Sequence, residues 1–371
     1  MNCFLSSCML LILSLILLLI LIPLEVISSE NPEGPCLELR SSFTRSLHFT
    51  GNGMKYWYQE PNGFMSLTGI PYENLGCKSC HVKSCDTCHA MEKKGRVIFS
   101  SSKAKKIQTC FQCHTREKLT FKKDKAKGKL DVHRKAGMVC ADCHNQYEIH
   151  GDGKRHLFMR DSGVPRTNCR DCHTETESGK IQYNGDLLSH RIHGNKLDCA
   201  ACHVSGSMTC YNCHFDSVLK SGHKKGNFVP IKSWTLLINY NGQVTSGSVM
   251  TIVYQDKKFV AYVPYFSHSV SSKGRTCQDC HGNKAVTTIE KKGKIDVVGY
   301  KDGQITSHEG VVPVVPEKLE WTFFDKTKKG WRPIKSKSKV NTQFAVYGKP
   351  LNQQQYQMLK QKMSPDMFQS K

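Results

Sequence analysis

The pattern of apolar and polar positions divides the chain into three textures. Met9 to Ile22 is apolar apart from Ser14 and is followed by Pro23 and the small pair Ser28 and Ser29. This reads as a secretory signal over residues 1–28, with Val26-Ile27-Ser28 before the cut. Met1 to Cys8 carries no Lys or Arg. An uncleaved N-terminal anchor is therefore the alternative, because Cys3 to Leu24, about 22 residues, is long enough to cross a bilayer. Leu5-Ser6-Ser7-Cys8 resembles a lipoprotein box but precedes the apolar run instead of closing it. Residues 29–226 form the second texture, polar and lysine-rich; Lys122 to Lys129 within it reads as a solvated loop, with a docking patch for an acidic partner as the alternative. From Ile231 the pattern turns to alternation. Trp234 to Tyr240, the turn Asn241-Gly242, Val249 to Tyr254 and Phe259 to Val263 predict a β-meander over 227–282. Residues 283–371 remain strand-like, at Lys294 to Tyr300, Val311 to Val315 and Leu319 to Phe324, and close on a polar helix over Leu351 to Met363 after Pro350.

Laid over these textures is one repeated run, C-x-x-C-H, which occurs eight times. The cysteines are Cys77 and Cys80, Cys85 and Cys88, Cys110 and Cys113, Cys140 and Cys143, Cys169 and Cys172, Cys199 and Cys202, Cys210 and Cys213, and Cys277 and Cys280. The histidines that follow are His81, His89, His114, His144, His173, His203, His214 and His281. The run is the attachment site of c-type haem (heme c). Two thiols three positions apart reach the two vinyl groups on one edge of a porphyrin, and the next residue offers its imidazole to the iron. Zinc also uses paired C-x-x-C, but a zinc site does not require a histidine directly after every pair. A thioredoxin-like motif occurs once, beside a βαβ pattern. Eight covalently attached haem c groups are thus the expected cofactors.

That expectation changes the reading of the composition. A mature chain of about 340 residues gives about 43 per haem, too few to wrap a side-chain core around each porphyrin. The fold class expected is a multihaem cytochrome c: little regular structure, short helices around a haem core over 29–226, and a β-rich C-terminal part. The formal charge of +22, from 53 Lys and Arg against 31 Asp and Glu, would by itself point to nucleic acid or an anionic membrane. Eight haems with ionised propionates lower it to about +14 when ferric and about +6 when ferrous, so much of the excess reads as internal counter-charge. Of 19 cysteines, sixteen sit in the motifs, Cys3 and Cys8 leave with a cleaved signal, and Cys36 stays alone.

Motif spacing adds an organisation. Five motifs, from Cys85 to Cys199, are spaced at 25, 30, 29 and 30 residues, which reads as a repeated unit. Two pairs are tethered more tightly, the first to the second by Val82-Lys-Ser84 and the sixth to the seventh by Val204 to Thr209. Nine further histidines remain: His48, His133, His150, His156, His190, His193, His223, His268 and His308. Eight six-coordinate irons need eight distal ligands, so these nine suffice with one to spare. His133, His193 and His268 stand shortly before motifs; His150, His156 and His223 follow them. Methionine is the competing ligand, but Met138, Met159 and Met208 read as hydrophobic filling when histidine is in surplus.

His133-Arg-Lys-Ala-Gly-Met-Val-Cys140-Ala-Asp-Cys143-His144 resembles a segment of the superfamily of multihaem nitrite reductase, hydroxylamine oxidoreductase and octahaem tetrathionate reductase. Tyr265-Phe-Ser-His268 through Cys277-Gln-Asp-Cys280-His281-Gly282 resembles the last-haem segment of other octahaem cytochromes. The whole mature chain is similar in architecture to extracellular cytochromes of anaerobic bacteria and archaea, some of which polymerise into conductive filaments. The resemblance implies an exported electron-transfer protein, at the cell surface, outside the cell or in a periplasm, whose partners are redox proteins or copies of itself and whose electrons reach an extracellular acceptor. It implies no catalytic residue. An enzyme of that superfamily keeps one haem open or gives it a C-x-x-C-K motif; no such motif occurs here, and the chain is shorter. A multihaem reductase of sulfur or nitrogen oxyanions, with one open iron among basic residues, is the alternative.

Overall fold

The computed structural model describes residues 40–76, 80–174, 181–221, 229, 233–336 and 338–368. The signal or anchor over 1–28, together with Cys36, Cys77 and His223, lies outside the described residues. Among the described residues no helix is long and apolar enough to cross a membrane.

The largest sheet is built on the alternation after Ile231. Trp234–Tyr240, Gln243–Tyr254 and Lys257–Pro264 run antiparallel in sequence order. Gly310–Pro313 adds in parallel to the first and Val340–Phe344 in parallel to the third. Each turn uses left-handed backbone, at Asn241 and Gly242 and at Gln255 and Asp256, which matches the twist that tight hairpins require. Trp234–Tyr240 covers only the first half of its long neighbour's edge. The vacated half pairs in parallel with Cys210–His214, where Cys210 faces Met250 and His214 faces Val253.

The seventh C-x-x-C-H run is therefore a strand, not the short helix expected around each motif, because the open sheet edge supplies backbone partners that a helical turn would forgo. Asn212 makes this possible with φ +60 and a side chain that accepts from the Phe324 N–H at 2.7 Å and donates to the Phe324 carbonyl at 2.8 Å.

The sheet is buried on both faces, and its alternation decides what covers each. One face presents Leu236, Ile238, Val249, Val260 and Tyr262 to Val297, Val298, Val312, Phe323 and Phe324, and to Ile289 and Tyr356 of the helices Lys284–Lys292 and Gln353–Lys360. The other presents Ile252, Tyr254, Phe259 and Ala261 to Phe64, Leu67, Tyr72, Leu75 and Phe215. N-terminal segments thus pack against the sheet, and the sheet runs across the divisions at 226/227 and 282/283.

The remainder is built differently. From 80 to 199, Phe158 is the one buried apolar side chain among the described residues. The segment consists of short helices, such as Val132–Lys135 and Leu188–His193, and two small β-pairings. Two sequence expectations need correction within it. Lys122 to Lys129 is not a loop for most of its length, because Thr115–Ala126 is helical, with Thr120 and Asp124 turned inward, Lys123 half-buried and the other lysines exposed. Met159 is 61 % exposed and fills no gap.

Candidate metal-ligand pairs

The motifs carry their own local folding rule. In the second, third, fourth and eighth, the histidine N–H donates to the carbonyl of the first cysteine at 2.8–3.0 Å, closing one helical turn. Residues three and four apart share a helix face, so both thiols and the imidazole leave the turn together. In the fourth, fifth and eighth motifs the aspartate before the second cysteine locks the turn. Asp142 accepts from Val139 N–H at 2.7 Å, Asp171 from Asn168 at 2.8 Å and Asp279 from Thr276 at 2.7 Å. A carboxylate at a helix start satisfies an N–H that the turn leaves unpaired.

Six motif histidines each face one of the nine other histidines. Ring centres are 6.0 Å apart for His89 and His150, 6.2 Å for His114 and His48, and 6.0 Å for His144 and His268. They are 6.1 Å apart for His173 and His133, 6.2 Å for His203 and His190, and 6.3 Å for His281 and His193. Every pair joins one motif histidine to one outside the motifs, and none is used twice. Two imidazoles holding one metal ion through Nε2 from opposite sides, with bonds of about 2 Å, have ring centres about 6.3 Å apart. The spacing is too wide for ring contact and fits a single ion between each pair.

The second ring nitrogen supports the same orientation. Nδ1–H donates to a backbone carbonyl in His48 (Ile149, 3.1 Å), His190 (Asn184, 2.6 Å), His193 (Ser189, 2.7 Å), His203 (Ser271, 2.9 Å) and His281 (Met358, 2.8 Å). In His144 and His268 it donates to carboxylates, Glu148 at 3.2 Å and Glu117 at 3.1 Å. His133 Nδ1 stands 3.5 Å from Asp131, and His150 Nδ1 is buried without a partner. An imidazole so tied at Nδ1 keeps Nε2 free and fixed in direction, the arrangement metal-binding histidines use. Burial holds His48, His114, His150, His173 and His193 below the usual histidine range, which keeps them in the neutral form that binds metal.

The pairs line up in a row. His48 lies near His150 and His144, His114 near His144 and His268, His173 near His203, and His193 near His190. Thiols of successive members also meet: Cys88 near Cys110, Cys110 against Cys140, Cys143 near Cys172, Cys169 against Cys199 and Cys202 near Cys280. Hydrogen bonds from Cys110 and Cys169 hold the Cys140 and Cys199 thiols below the usual cysteine range. The order along the row is thus the second, third, fourth, fifth, sixth and eighth motifs. The sixth motif meets the fifth and eighth at its thiols, although the seventh follows it closely in sequence.

The first and seventh motifs differ in their histidines, although Cys80 of the first bonds Cys113 of the third. His81 Nε2 is 3.1 Å from the Tyr72 hydroxyl and lies against Gly51, where φ is +64 and a Cβ would fall 1.9 Å from that nitrogen; only glycine admits the ring there. His214 Nε2 donates to the Phe324 carbonyl at 2.7 Å. Neither faces a second histidine among the described residues. Of the remaining candidates, His156 bonds Asp152 through Nε2 at 3.1 Å, and His308 is buried beside Lys284 and Glu309.

Among the described residues no group of three or more His, Cys, Asp or Glu side chains stands where it could hold a bare metal ion. Glu117 and Glu148 belong to no motif in the sequence. Glu148 follows His144 by four, a spacing that brings side chains together on a helix, whereas Glu117 reaches His268 across 151 positions and leaves no local signal. Comparison with known proteins gives no match: no family model, no curated protein and no solved structure is similar to this chain.

Proposed function

We propose that this protein is an exported octahaem c-type cytochrome that conducts electrons through closely packed bis-histidine haems toward an extracellular acceptor. The observation that carries the reading is the set of six mixed histidine pairs, each 6.0–6.3 Å between ring centres and each set beside a C-x-x-C turn. When bound, haem supplies a ferric/ferrous couple. The chain's residues do the rest. Cysteines three apart on one turn would hold the group covalently, and the following histidine with its opposite number would hold its iron. Carbonyls and carboxylates at Nδ1 hold each ring in one tautomer. The near absence of buried apolar side chains among the described residues from 80 to 199 leaves that region's core to be supplied by the cofactors themselves. Lysine and arginine excess offsets the propionates. Redox proteins or copies of this chain are the partners that a row with two ends calls for.

A second reading is favoured by one observation: His81 and His214 face no second histidine among the described residues. An open iron at either, with the net positive charge drawing anions, would make the protein a multihaem reductase of sulfur or nitrogen oxyanions. Low-temperature EPR of the purified ferric protein separates the two. Electron transfer alone gives low-spin signals throughout. A high-spin signal that nitrite or tetrathionate alters would overturn the first reading in favour of the second. Intact mass without covalently attached haem would overturn both.

A further inference from the structure

Across the row the hydrogen bonds to the axial histidines are unequal. Wherever His48, His190, His193, His203 or His281 donates from Nδ1, the acceptor is a neutral backbone carbonyl. The third member alone has a carboxylate within hydrogen-bond distance on both sides: Glu148 at 3.2 Å from His144 Nδ1, and Glu117 at 3.1 Å from His268 Nδ1. The nearest comparison is Asp131, 3.5 Å from His133, on one side of its pair only. That carboxylate is already engaged by the N–H groups of His133, Arg134 and Val270.

Both glutamates are built in. Glu148 is 16 % exposed and receives the Thr167 hydroxyl at 2.6 Å; Glu117 is 17 % exposed and receives the Tyr265 hydroxyl at 2.5 Å. Arg116 lies over the Tyr265 ring at 4.9 Å. The two imidazoles are far more open, at 42 % and 47 %. The carboxylates thus sit behind the rings, on the protein side.

On the reading of these pairs as axial ligands, we infer that Glu117 and Glu148 are positioning residues that make the site between His144 and His268 the most electron-rich and lowest-potential member of the row. A carboxylate accepting from Nδ1–H shifts electron density onto Nε2 and raises the basicity of the ligand. Richer donors stabilise the ferric state over the ferrous. His144 and His268 would hold one iron between them, and the effects of their two carboxylates would add. With a haem held there, its one-electron reduction would draw on a neighbouring reduced haem of the same row, while the Nδ1 proton stays in its hydrogen bond and no bond breaks. Glu117 and Glu148 thereby place an energetic step inside the row, where an electron crosses from the second and third motifs toward the fifth, sixth and eighth.

The test is a spectroelectrochemical titration of the full-length haem-loaded protein, followed by EPR, for the parent and for Glu117→Gln, Glu148→Gln and Tyr265→Phe. In the parent, one low-spin component is the last to be reduced. Each Gln variant shifts that component's reduction equilibrium about tenfold toward ferrous, about 59 mV for one electron, and moves its ferric EPR signal alone. Tyr265→Phe removes a donor from Glu117, strengthens its bond to His268 and shifts the same component the opposite way, a sign that loosened packing does not produce. Glu290→Gln, on a carboxylate paired with Lys360, leaves every component in place. Unchanged potentials in haem-replete Gln variants, or an upward shift in Tyr265→Phe, overturn the inference and leave the proposed function standing. Absence of attached haem in the parent overturns both.

Discussion

At the scale of single residues, the chemistry rests on small polar devices. An aspartate before the second cysteine repeats in three motifs and accepts the N–H that the turn leaves free. Asp279→Ala should cost about 1 kcal/mol, the usual loss for a helix-start cap, read as a lower denaturation midpoint; peptide mass spectrometry should also find less haem on Cys277 and Cys280. The nine histidines outside the motifs divide in the same way. His193 faces His281 at 6.3 Å, whereas His308 is packed away beside Lys284 and Glu309. His193→Ala should therefore open one coordination position and add a high-spin ferric signal, and His308→Ala should add none. Equal spectra for the two variants would reverse that assignment. The C-x-x-C-H runs and the pool of nine histidines are readable from the sequence because both are local. Which histidine meets which is not, since His268 and His144, or His193 and His281, are brought together by segments far apart in the chain.

At the scale of elements, the meander over Trp234–Pro264 follows from alternation and its two turns, and the structure has strands where that pattern lies. The seventh motif does not follow from its own residues: the same five-letter run forms a helical turn at Cys140 and a strand at Cys210. The difference is the half-covered edge of Gln243–Tyr254, a tertiary feature that offers hydrogen bonds to whatever lies beside it. Asn212 locks that choice with two hydrogen bonds to the Phe324 backbone inside the core. Asn212→Ala strands the Phe324 N–H, while the Phe324 carbonyl keeps His214 Nε2, and should destabilise the protein by about 1–3 kcal/mol, measured by chemical denaturation. A loss within the range of surface substitutions would show that the clasp contributes little. The lysine-rich run at 122–129 was open to a loop reading because it lacks an apolar stripe; Thr120 and Asp124 supply the inward face instead.

At the scale of the whole molecule, two kinds of core coexist. The sheet and its flanking helices bury apolar side chains on both faces and need no cofactor to do so. Residues 80–199 bury Phe158 alone among apolar side chains described there, too little to repay the entropy of ordering such a length of backbone. Replacing both cysteines by serine in the second to sixth motifs should leave residues 233–336 slow in amide exchange and make 80–199 fast, as read by hydrogen-exchange mass spectrometry. Uniform protection across both regions would show that side chains alone hold the row.

The sequence by itself determined the eight C-x-x-C-H runs, the surplus of imidazoles, the basic excess and the strand-rich C-terminal part, because each depends on residue type or on spacing within one turn or one hairpin. Only the tertiary structure decided the six pairings, their order in the row, the strand form of the seventh motif and the two carboxylates behind His144 and His268. Those depend on contacts between segments tens to hundreds of positions apart, which the chain's local pattern does not encode and which the shared sheet and the close approach of successive motifs bring about.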